Sequence, residues 1–219
     1  MKTYVYDIHS IKASIKLKKW VDLNKVKQRV LERQSEGLTL NKEFPSFIVI
    51  GNLPVKSDTY NQRCKLTLFK YGHPKGRIVK AVQRLQHCNV CGITCFKDIP
   101  LILKEVERLF DLSEDDMVLT VDNINAGGRL PPLIKAEFIQ ANSEDTFHQL
   151  ETFPGMKLRF QKVTIMTFAS GAMNFSGAKS EAQIQEAFQY MQGCFVKYQA
   201  LSLENGNHIA SSKTTIPMT

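Results

Sequence analysis

Hydrophobic and polar positions alternate over short segments between residues 153 and 183, and this pattern predicts strands. The segment Lys162 to Thr167 (KVTIMT) is rich in β-branched residues, which favour strands. Gly155, Gly171 and Gly177 mark the intervening turns. Ser180 to Gln183 then has the form of a capping box at the start of an apolar helix. The stretch is therefore predicted to form strand, turn, strand, turn, strand and helix.

Four helices are predicted along the chain from their capping residues, prolines and apolar spacing. They open at Asp22, at Asp98 with Pro100 in the first turn, at Pro131-Pro132, and at Ser180. In each, apolar residues recur at intervals of three and four, as expected for one buried helix face. The positions expected on these apolar faces are Leu23, Val26 and Val30; Leu103, Val106, Leu109 and Phe110; Leu133, Ile134 and Phe138; and Ile184, Ala187, Phe188 and Met191.

The turn motifs of the second half have counterparts in the first half, in the same order. These pairs are Phe44-Pro45-Ser46 with Phe153-Pro154-Gly155, Phe69 to Gly72 with Phe168 to Gly171, and Asn89 to Gly92 with Asn174 to Gly177. The spacing between counterparts shrinks along the chain, so the first repeat is expected to carry longer loops. The predicted organisation is a first repeat over residues 1–112, a second over 113–199, and a polar, disordered tail over 200–219.

These motifs resemble the TATA-binding protein family, closely in the second repeat and sparsely in the first, over roughly residues 4 to 199. The resemblance implies an α/β (α+β) saddle made of two repeats, with one curved antiparallel sheet and helices on its convex face. In that family, phenylalanines before a Pro-Gly turn and in an F-x-S-G turn wedge between base steps of DNA. An S/T-G-A-K run, here Ser176 to Lys179, closes the DNA-facing sheet.

The resemblance assigns the wedge role to four phenylalanines. A phenylalanine in a strand is more often a core residue, but a large apolar side chain next to a turn would be exposed, and the motif recurs in both repeats. The expected intercalating residues are Phe44, Phe69, Phe153 and Phe168. Three others, Phe47, Phe160 and Phe175, are expected to support the sheet or the helix layer.

Base-contacting residues are expected from the family's L/I-Q-N strands and from strand alternation. Asn123 matches the family asparagine, whereas Ser10 occupies the partner position. Asn89 and Asn174 lie where the family usually has valine; asparagine can accept from guanine N2, so a strict TATA preference is not expected. Alternatively, both are strand-end residues that face water. The expected base contacts are Ser10, Asn89, Cys91, Asn123, Thr164, Met166, Asn174 and Ser176.

The 219 residues carry a net charge of +8, distributed unevenly. Residues 1–112 have a net charge of +11 and residues 113–219 a net charge of −3. A basic half suits a polyanion, because lysine and arginine neutralise phosphates. Lysines 16, 18, 19, 25 and 27 fit equally well a solvated outer helix face, while Ala172 stands where the family has a lysine. The expected phosphate contacts are Arg63, Lys65, Lys75, Arg77, Lys157, Arg159 and Lys179.

No motif for nucleophilic, acid–base or phosphate-loop chemistry was found, so the chain is not expected to be an enzyme or to bind a small-molecule substrate. The Cys-x2-Cys-x3-Cys spacing around Cys88, Cys91 and Cys95 is a weak zinc signal, because a strand there would separate the first two sulfurs. We therefore expect free thiols, no metal and no cofactor. The odd cysteine count favours an intracellular reducing compartment, and no membrane-spanning run is present.

The function implied by the resemblance is that of a general transcription initiation factor. It would bind and bend double-stranded promoter DNA through the minor groove and recruit a TFIIB-like factor and RNA polymerase. The departures from the family motifs are typical of a divergent member, as in a large DNA virus or a distant protist, acting in the nucleus or a cytoplasmic viral factory. Two alternatives stay open: an interaction protein of this fold without DNA binding, and an accessory domain of the DNA-glycosylase type.

Overall fold

The computed structural model describes residues 5–43, 47–55, 64–69, 84–130, 146–147, 155–168 and 170–211. The chain forms two compact units. We call residues 8–124 the N-terminal unit, and residues 1–7 together with 125–219 the C-terminal unit. The division therefore falls within a strand, and not at residue 112, the end of the first predicted repeat.

In the described part of the N-terminal unit, six strands accompany two helices. The elements are β1 (Tyr6–Asp22), α1 (Leu23–Glu32), β2 (Thr39–Glu43), β3 (Phe47–Gly51), β4 (Lys65–Phe69), β5 (Arg84–Ile93), α2 (Ile99–Phe110) and the first part of β6 (Met117–Arg129). The hydrogen-bonded order is β2-β3-β4-β5-β1-β6. Strand β5 pairs antiparallel with both β1 and β4, and β3 pairs antiparallel with β2 and β4.

Helix α1 begins and packs as its sequence predicts. The Asp22 side chain accepts a hydrogen bond from the Asn24 amide at 2.9 Å, and Leu23, Val26 and Val30 are buried. A carboxylate in this position satisfies an amide that has no partner within the helix. Local capping and apolar spacing therefore suffice to determine this helix.

Helix α2 has Pro100 in its first turn and ends at Asp111, whose left-handed backbone (φ 59°) stops the helix. Its buried hydrophobic residues are Ile102, Val106, Leu109 and Phe110, whereas Leu103 is only half-buried. The sequence placed Leu103 on the same helix face as Val106 and Phe110, and the structure leaves it half-buried. A 3-10 turn at Phe96–Asp98 precedes the helix, and Ile102, Val106 and Leu109 recur at the spacing of one helix face.

The C-terminal unit contains the second part of β6 followed by β7 (Thr146–Phe147), β8 (Gly155–Phe160), β9 (Val163–Phe168), β10 (Ala172–Ala178) and α3 (Glu181–Ser211). Its strand order is β6-β10-β9-β8-β7. The helix predicted at Pro131-Pro132 lies outside the described residues. Helix α3 extends to Ser211, so residues 200–211 are helical, in contrast to the predicted disordered tail. A polar composition removes the driving force for burial but does not prevent an existing helix from continuing.

Helix α3 packs against β9 and β10 through the predicted residues Ile184, Ala187, Phe188 and Met191, all of which are buried. The Phe188 ring lies 6.1 Å from that of Phe175, centroid to centroid. A Cβ atom at Gly128 would come within 2.8 Å of the Phe188 ring. Glycine at this position of β6 thus allows the helix to approach the sheet closely.

The strands belong to one ten-stranded sheet, and within each unit its described part has one buried face and one face that lacks a helical cover among the described residues. In the N-terminal unit, Ile15, Leu66, Cys88 and Val90 are fully buried, and their neighbours along the strands are half-buried or exposed. In the C-terminal unit, β9 alternates strictly between buried and half-buried residues. Because successive side chains of a strand point to opposite sides, the half-buried and exposed residues share one surface, which we call the open face of each unit.

The two units share the cross-strand register that the internal repeat implies. Asn89 pairs with Thr67 and Cys91 with Lys65 in the N-terminal unit. At the corresponding positions of the C-terminal unit, Asn174 pairs with Met166 and Ser176 with Thr164. The glycines that follow have nearly equal left-handed backbones, with φ values of 88° at Gly92 and 93° at Gly177. The weak sequence repeat therefore corresponds to two copies of the same strand arrangement.

Candidate nucleic-acid interface

A row of polar side chains crosses the open face of the N-terminal unit. Thr67 pairs with Asn89, and Asn89 pairs with Ser14 on β1. The Ser14 hydroxyl donates a hydrogen bond of 3.1 Å to the Asp122 carboxylate on β6. All four side chains are half-buried. We call Thr67, Asn89, Ser14 and Asp122 the polar row; a nucleic acid on this face would meet hydrogen-bonding groups of both kinds there.

An aromatic row lies beside the polar row. Phe69, the last residue of β4, is 38% exposed. Its ring stacks on His87 at a centroid distance of 5.6 Å and lies 6.4 Å from Phe47. The register pairs Phe47 with Phe69, so Phe47 shares the open face, whereas the sequence assigned it a supporting role. Phe69 is held by aromatic neighbours at the end of a strand, where a wedge residue would be exposed.

Cations also lie on this open face. Lys65 is exposed and pairs with Cys91, and Lys16 is exposed and pairs with His87. Burial raises the pKa of the Cys91 thiol; Lys12 opposes this shift and Asp122 adds to it. Lys12 and Asp122 are therefore both close enough to Cys91 for their charges to act on it, which places a cation and a carboxylate on the same part of the face.

The open face of the C-terminal unit carries two parallel rows across β8, β9 and β10. One consists of Lys157, Met166 and Asn174, and the other of Arg159, Thr164 and Ser176. Both cations and Asn174 are exposed, and the other three residues are half-buried. Six residues that the sequence predicted as base or phosphate contacts are thus brought together on one surface.

Phe168 ends strand β9 at the turn that leads to β10. It pairs with Gly155 across the β8–β9 hairpin, and its carbonyl accepts a hydrogen bond from the Gly171 amide at 2.8 Å. The side chain is half-buried and lies on the open face with Thr164 and Met166. By contrast, Phe175 is 1% exposed, and Phe160 stacks on Tyr190 of α3 at 4.6 Å.

Lys179 follows β10 and is exposed, with its amide donating to the Gln183 side chain at 2.7 Å. Two further predicted contacts, Ser10 on β1 and Asn123 on β6, are both half-buried. Asn123 stands between Asp122 and the fully buried Ile124. Five predicted site residues lie outside the described residues: Phe44, Arg63, Lys75, Arg77 and Phe153.

Sequence reasoning missed Lys12, Ser14, Lys16 and Asp122 as open-face residues. Lysines 16, 18 and 19 were considered as part of an outer helix face, but they lie on β1. The alternation of Ile11, Ala13, Ile15 and Leu17, all fully buried, was the signal that could have located the strand and its polar side. Asp122 could not have been found in this way, because its place on the face is revealed by the bond from Ser14.

The first two cysteines of the weak zinc motif lie on different sides of β5. Cys88 is buried and pairs with Leu68 and Ile15, whereas Cys91 pairs with Lys65 on the open face. Burial raises the pKa of the Cys88 thiol to about 12. Cys88 is therefore a protonated core residue at neutral pH.

Known proteins resemble this chain both in sequence and in fold. Residues 118–198 match the family model described as "Transcription factor TFIID (or TATA-binding protein, TBP)". A TATA-box-binding protein of Methanosphaera stadtmanae is 30% identical over 101 residues, which cover 43% of this chain. The chain spans 55% of the length of that relative. No helix among the described residues is long and apolar enough to cross a membrane.

The solved structure of Methanococcus jannaschii TBP aligns with a TM-score of 0.62 at 17% identity, covering 88% of this chain and 98% of that chain. A likeness at this identity concerns the fold, and it confirms the fold class predicted from the sequence. The register shared by the two units is what a repeat fold of this kind requires. These findings show that residues 118–198 are similar to the TATA-binding protein family and that the chain shares the fold of Methanococcus jannaschii TBP.

Proposed function

We propose that the protein is a transcription initiation factor that binds double-stranded promoter DNA through the minor groove and bends it, without catalysis. The observation that carries this proposal is the open face present in both units. Each open face combines exposed cations, half-buried polar side chains and a phenylalanine at a strand end. Cations match phosphates, polar groups match base edges, and phenylalanines match the apolar wedges of minor-groove proteins.

The wedge residues are Phe69 and Phe168, joined in the proposal by Phe44 and Phe153 from the sequence. Partial unstacking of a base step costs a few kcal/mol, which a bent duplex recovers by contacting more protein surface. The base-contacting set is Ser10, Asn89, Cys91, Asn123, Thr164, Met166, Asn174 and Ser176. The phosphate-contacting set is Arg63, Lys65, Lys75, Arg77, Lys157, Arg159 and Lys179.

The same proposal assigns protein partners to the surfaces that DNA would leave free. A TFIIB-like factor and RNA polymerase would be recruited to the DNA-bound protein, in a nuclear or cytoplasmic setting where transcription takes place. A TFIIB-like factor should retard the DNA complex further in a native gel. It should leave the protein unshifted when DNA is absent, if DNA binding is what organises the assembly.

Fluorescence energy transfer across a short AT-rich duplex labelled at both ends tests binding and bending together. The unaltered protein should raise transfer, and Phe168→Ala should abolish most of the rise and weaken binding. Leu31→Ala, which truncates an exposed apolar side chain on α1, is the matched control and should behave as the unaltered protein.

Absence of any complex at moderate salt would support the alternative of an interaction protein of this fold that does not bind DNA. A complex that forms without a change in energy transfer would support straight-duplex binding, as expected of an accessory domain, and would contradict the wedge assignment. Both outcomes are readable from the same titration.

A further inference from the structure

The Asp122 carboxylate lies on the face that is proposed to meet a polyanion. Ser14, whose hydroxyl donates to Asp122 at 3.1 Å, lies between Ala13 and Ile15, both fully buried. The hydroxyl and its acceptor are therefore on the open side of the sheet. An ionised carboxylate has about four acceptor sites and no donor. One hydrogen bond from Ser14 leaves capacity for a donor supplied by a ligand.

The minor groove offers only one kind of donor to such a group. A·T and T·A pairs present acceptors alone, at adenine N3 and thymine O2, while a G·C pair adds the guanine N2 amino group. A carboxylate opposite an A·T pair would thus face acceptors and lose its water without compensation. Opposite a G·C pair it would accept a charge-assisted hydrogen bond.

Resting on the minor-groove function proposed above, we infer that Asp122 is a specificity residue that selects a G·C pair, through the guanine amino group, at the base step met by the polar row. Asn89 and Thr67 extend the row with side chains that can donate as well as accept. The charges of Lys12 and Asp122 both act on Cys91. In a DNA complex, the positive charge of Lys12 would offset the negative charge of Asp122 near the DNA phosphates.

The C-terminal unit provides the internal contrast. The two rows that cross β8, β9 and β10 on its open face, Lys157-Met166-Asn174 and Arg159-Thr164-Ser176, contain no carboxylate. The inferred site is therefore asymmetric: the half bound by the N-terminal unit contains a required G·C pair, and the half bound by the C-terminal unit tolerates A·T. Such a site would bind the protein in one orientation.

Base analogues test the inference at the level of one atom. Inosine in place of guanine removes the minor-groove amino group and leaves the guanine O6 and N7 acceptors in the major groove, while 2,6-diaminopurine in place of adenine adds an amino group. Affinity of the unaltered protein should fall ~10-fold with inosine at one position of a selected site, and rise ~10-fold with diaminopurine there in an A·T version. The preferred site would first be obtained by selection from a random duplex library.

Asp122→Asn should weaken both responses while retaining DNA binding, because the neutral amide can donate to A·T acceptors as well as accept from the guanine amino group. The matched control is Asp115→Asn, which removes an equal charge from an exposed residue in the 3-10 turn before β6. The control should keep both responses. The analogue measurements on the unaltered protein hold even if the Asp122 variant fails to fold.

Binding of the unaltered protein without sensitivity to either analogue would overturn the inference and leave the proposed function standing. The same holds if Asp122→Asn keeps the full analogue response. If the protein binds no duplex of the library at moderate salt, the proposed function itself fails, and that result is distinct from the other two.

Discussion

The N-terminal and C-terminal units share a backbone register but present different chemistry on their open faces. On strand β3, Val49 pairs with Thr67 of β4 and Gly51 pairs with Lys65. At the corresponding positions of strand β8, Lys157 pairs with Met166 of β9 and Arg159 pairs with Thr164. The cations of the N-terminal face lie instead on β1 and β4, next to a carboxylate. The two units therefore share their strand pairing, while the side chains on their open faces differ.

This contrast changes the meaning of the charge distribution. The first half of the chain carries a net charge of +11 and the second a net charge of −3, which suggests that phosphate binding is concentrated in the first half. On the open faces the charge imbalance is far smaller. The N-terminal open face carries Lys12, Lys16 and Lys65 together with Asp122, and the C-terminal open face carries Lys157 and Arg159. Position on a face, rather than the sum over a segment, decides which charges can meet DNA.

The largest effect is expected from comparing the two faces of the C-terminal sheet. Phe175→Ala removes a ring that is 1% exposed, so the free energy of unfolding should fall by ~3–5 kcal/mol. Phe168→Ala removes a half-buried ring from the open face and should cost much less stability. Denaturant titration of both variants measures the difference, and equal losses would mean that Phe168 is a core residue and not a wedge.

The next effect concerns the salt dependence of DNA binding. Each phosphate contact contributes about −0.9 to the slope of log affinity against log salt. Replacing Lys157 and Arg159 with glutamine should therefore flatten the slope by up to ~1.8 units. Replacing Lys16 and Lys65 should do the same, with little change in sequence preference for either pair.

Lys25 and Lys104, exposed on α1 and α2, provide the matched double replacement, which should leave the slope unchanged. A response confined to the Lys16 and Lys65 pair would show that the charge sum of the sequence, and not the arrangement of the open faces, describes the phosphate contacts.

The smallest effect is a pH dependence confined to the N-terminal unit. Lys19 and Ser113 donate to the Asp116 carboxylate and lower its pKa. A lowered pKa in the folded protein stabilises it above the ordinary aspartate pKa of about 4, and this contribution disappears as the pH falls through the lowered value. Asp116→Asn should reduce stability at neutral pH and make the acid limb of the stability profile shallower. An unchanged acid limb would show that the carboxylate is not linked to folding.

The sequence alone determined the fold class, the Asp22-capped helix α1 and helix α2 of the N-terminal unit, and the hairpins of the C-terminal unit. These features depend on residues that are close in the chain. The Asp22 cap acts on the next helical turn. The alternation of residues 163–168 indicates which side chains are buried. The repeat was also readable, because matched glycines with left-handed backbones punctuate both copies. Six of the predicted contacts therefore gather on the C-terminal open face.

Only the tertiary structure decided which residues from distant strands share the N-terminal open face. Ser14 and Asp122 are 108 positions apart, and no local pattern in the sequence indicates that their side chains meet. The same holds for Phe47 beside Phe69, since a long connection separates their strands. Local chemistry specifies elements over a few residues, but the pairing of strands brings remote side chains together, and that pairing is set by burial of the opposite face. The carboxylate in the polar row is a product of that pairing.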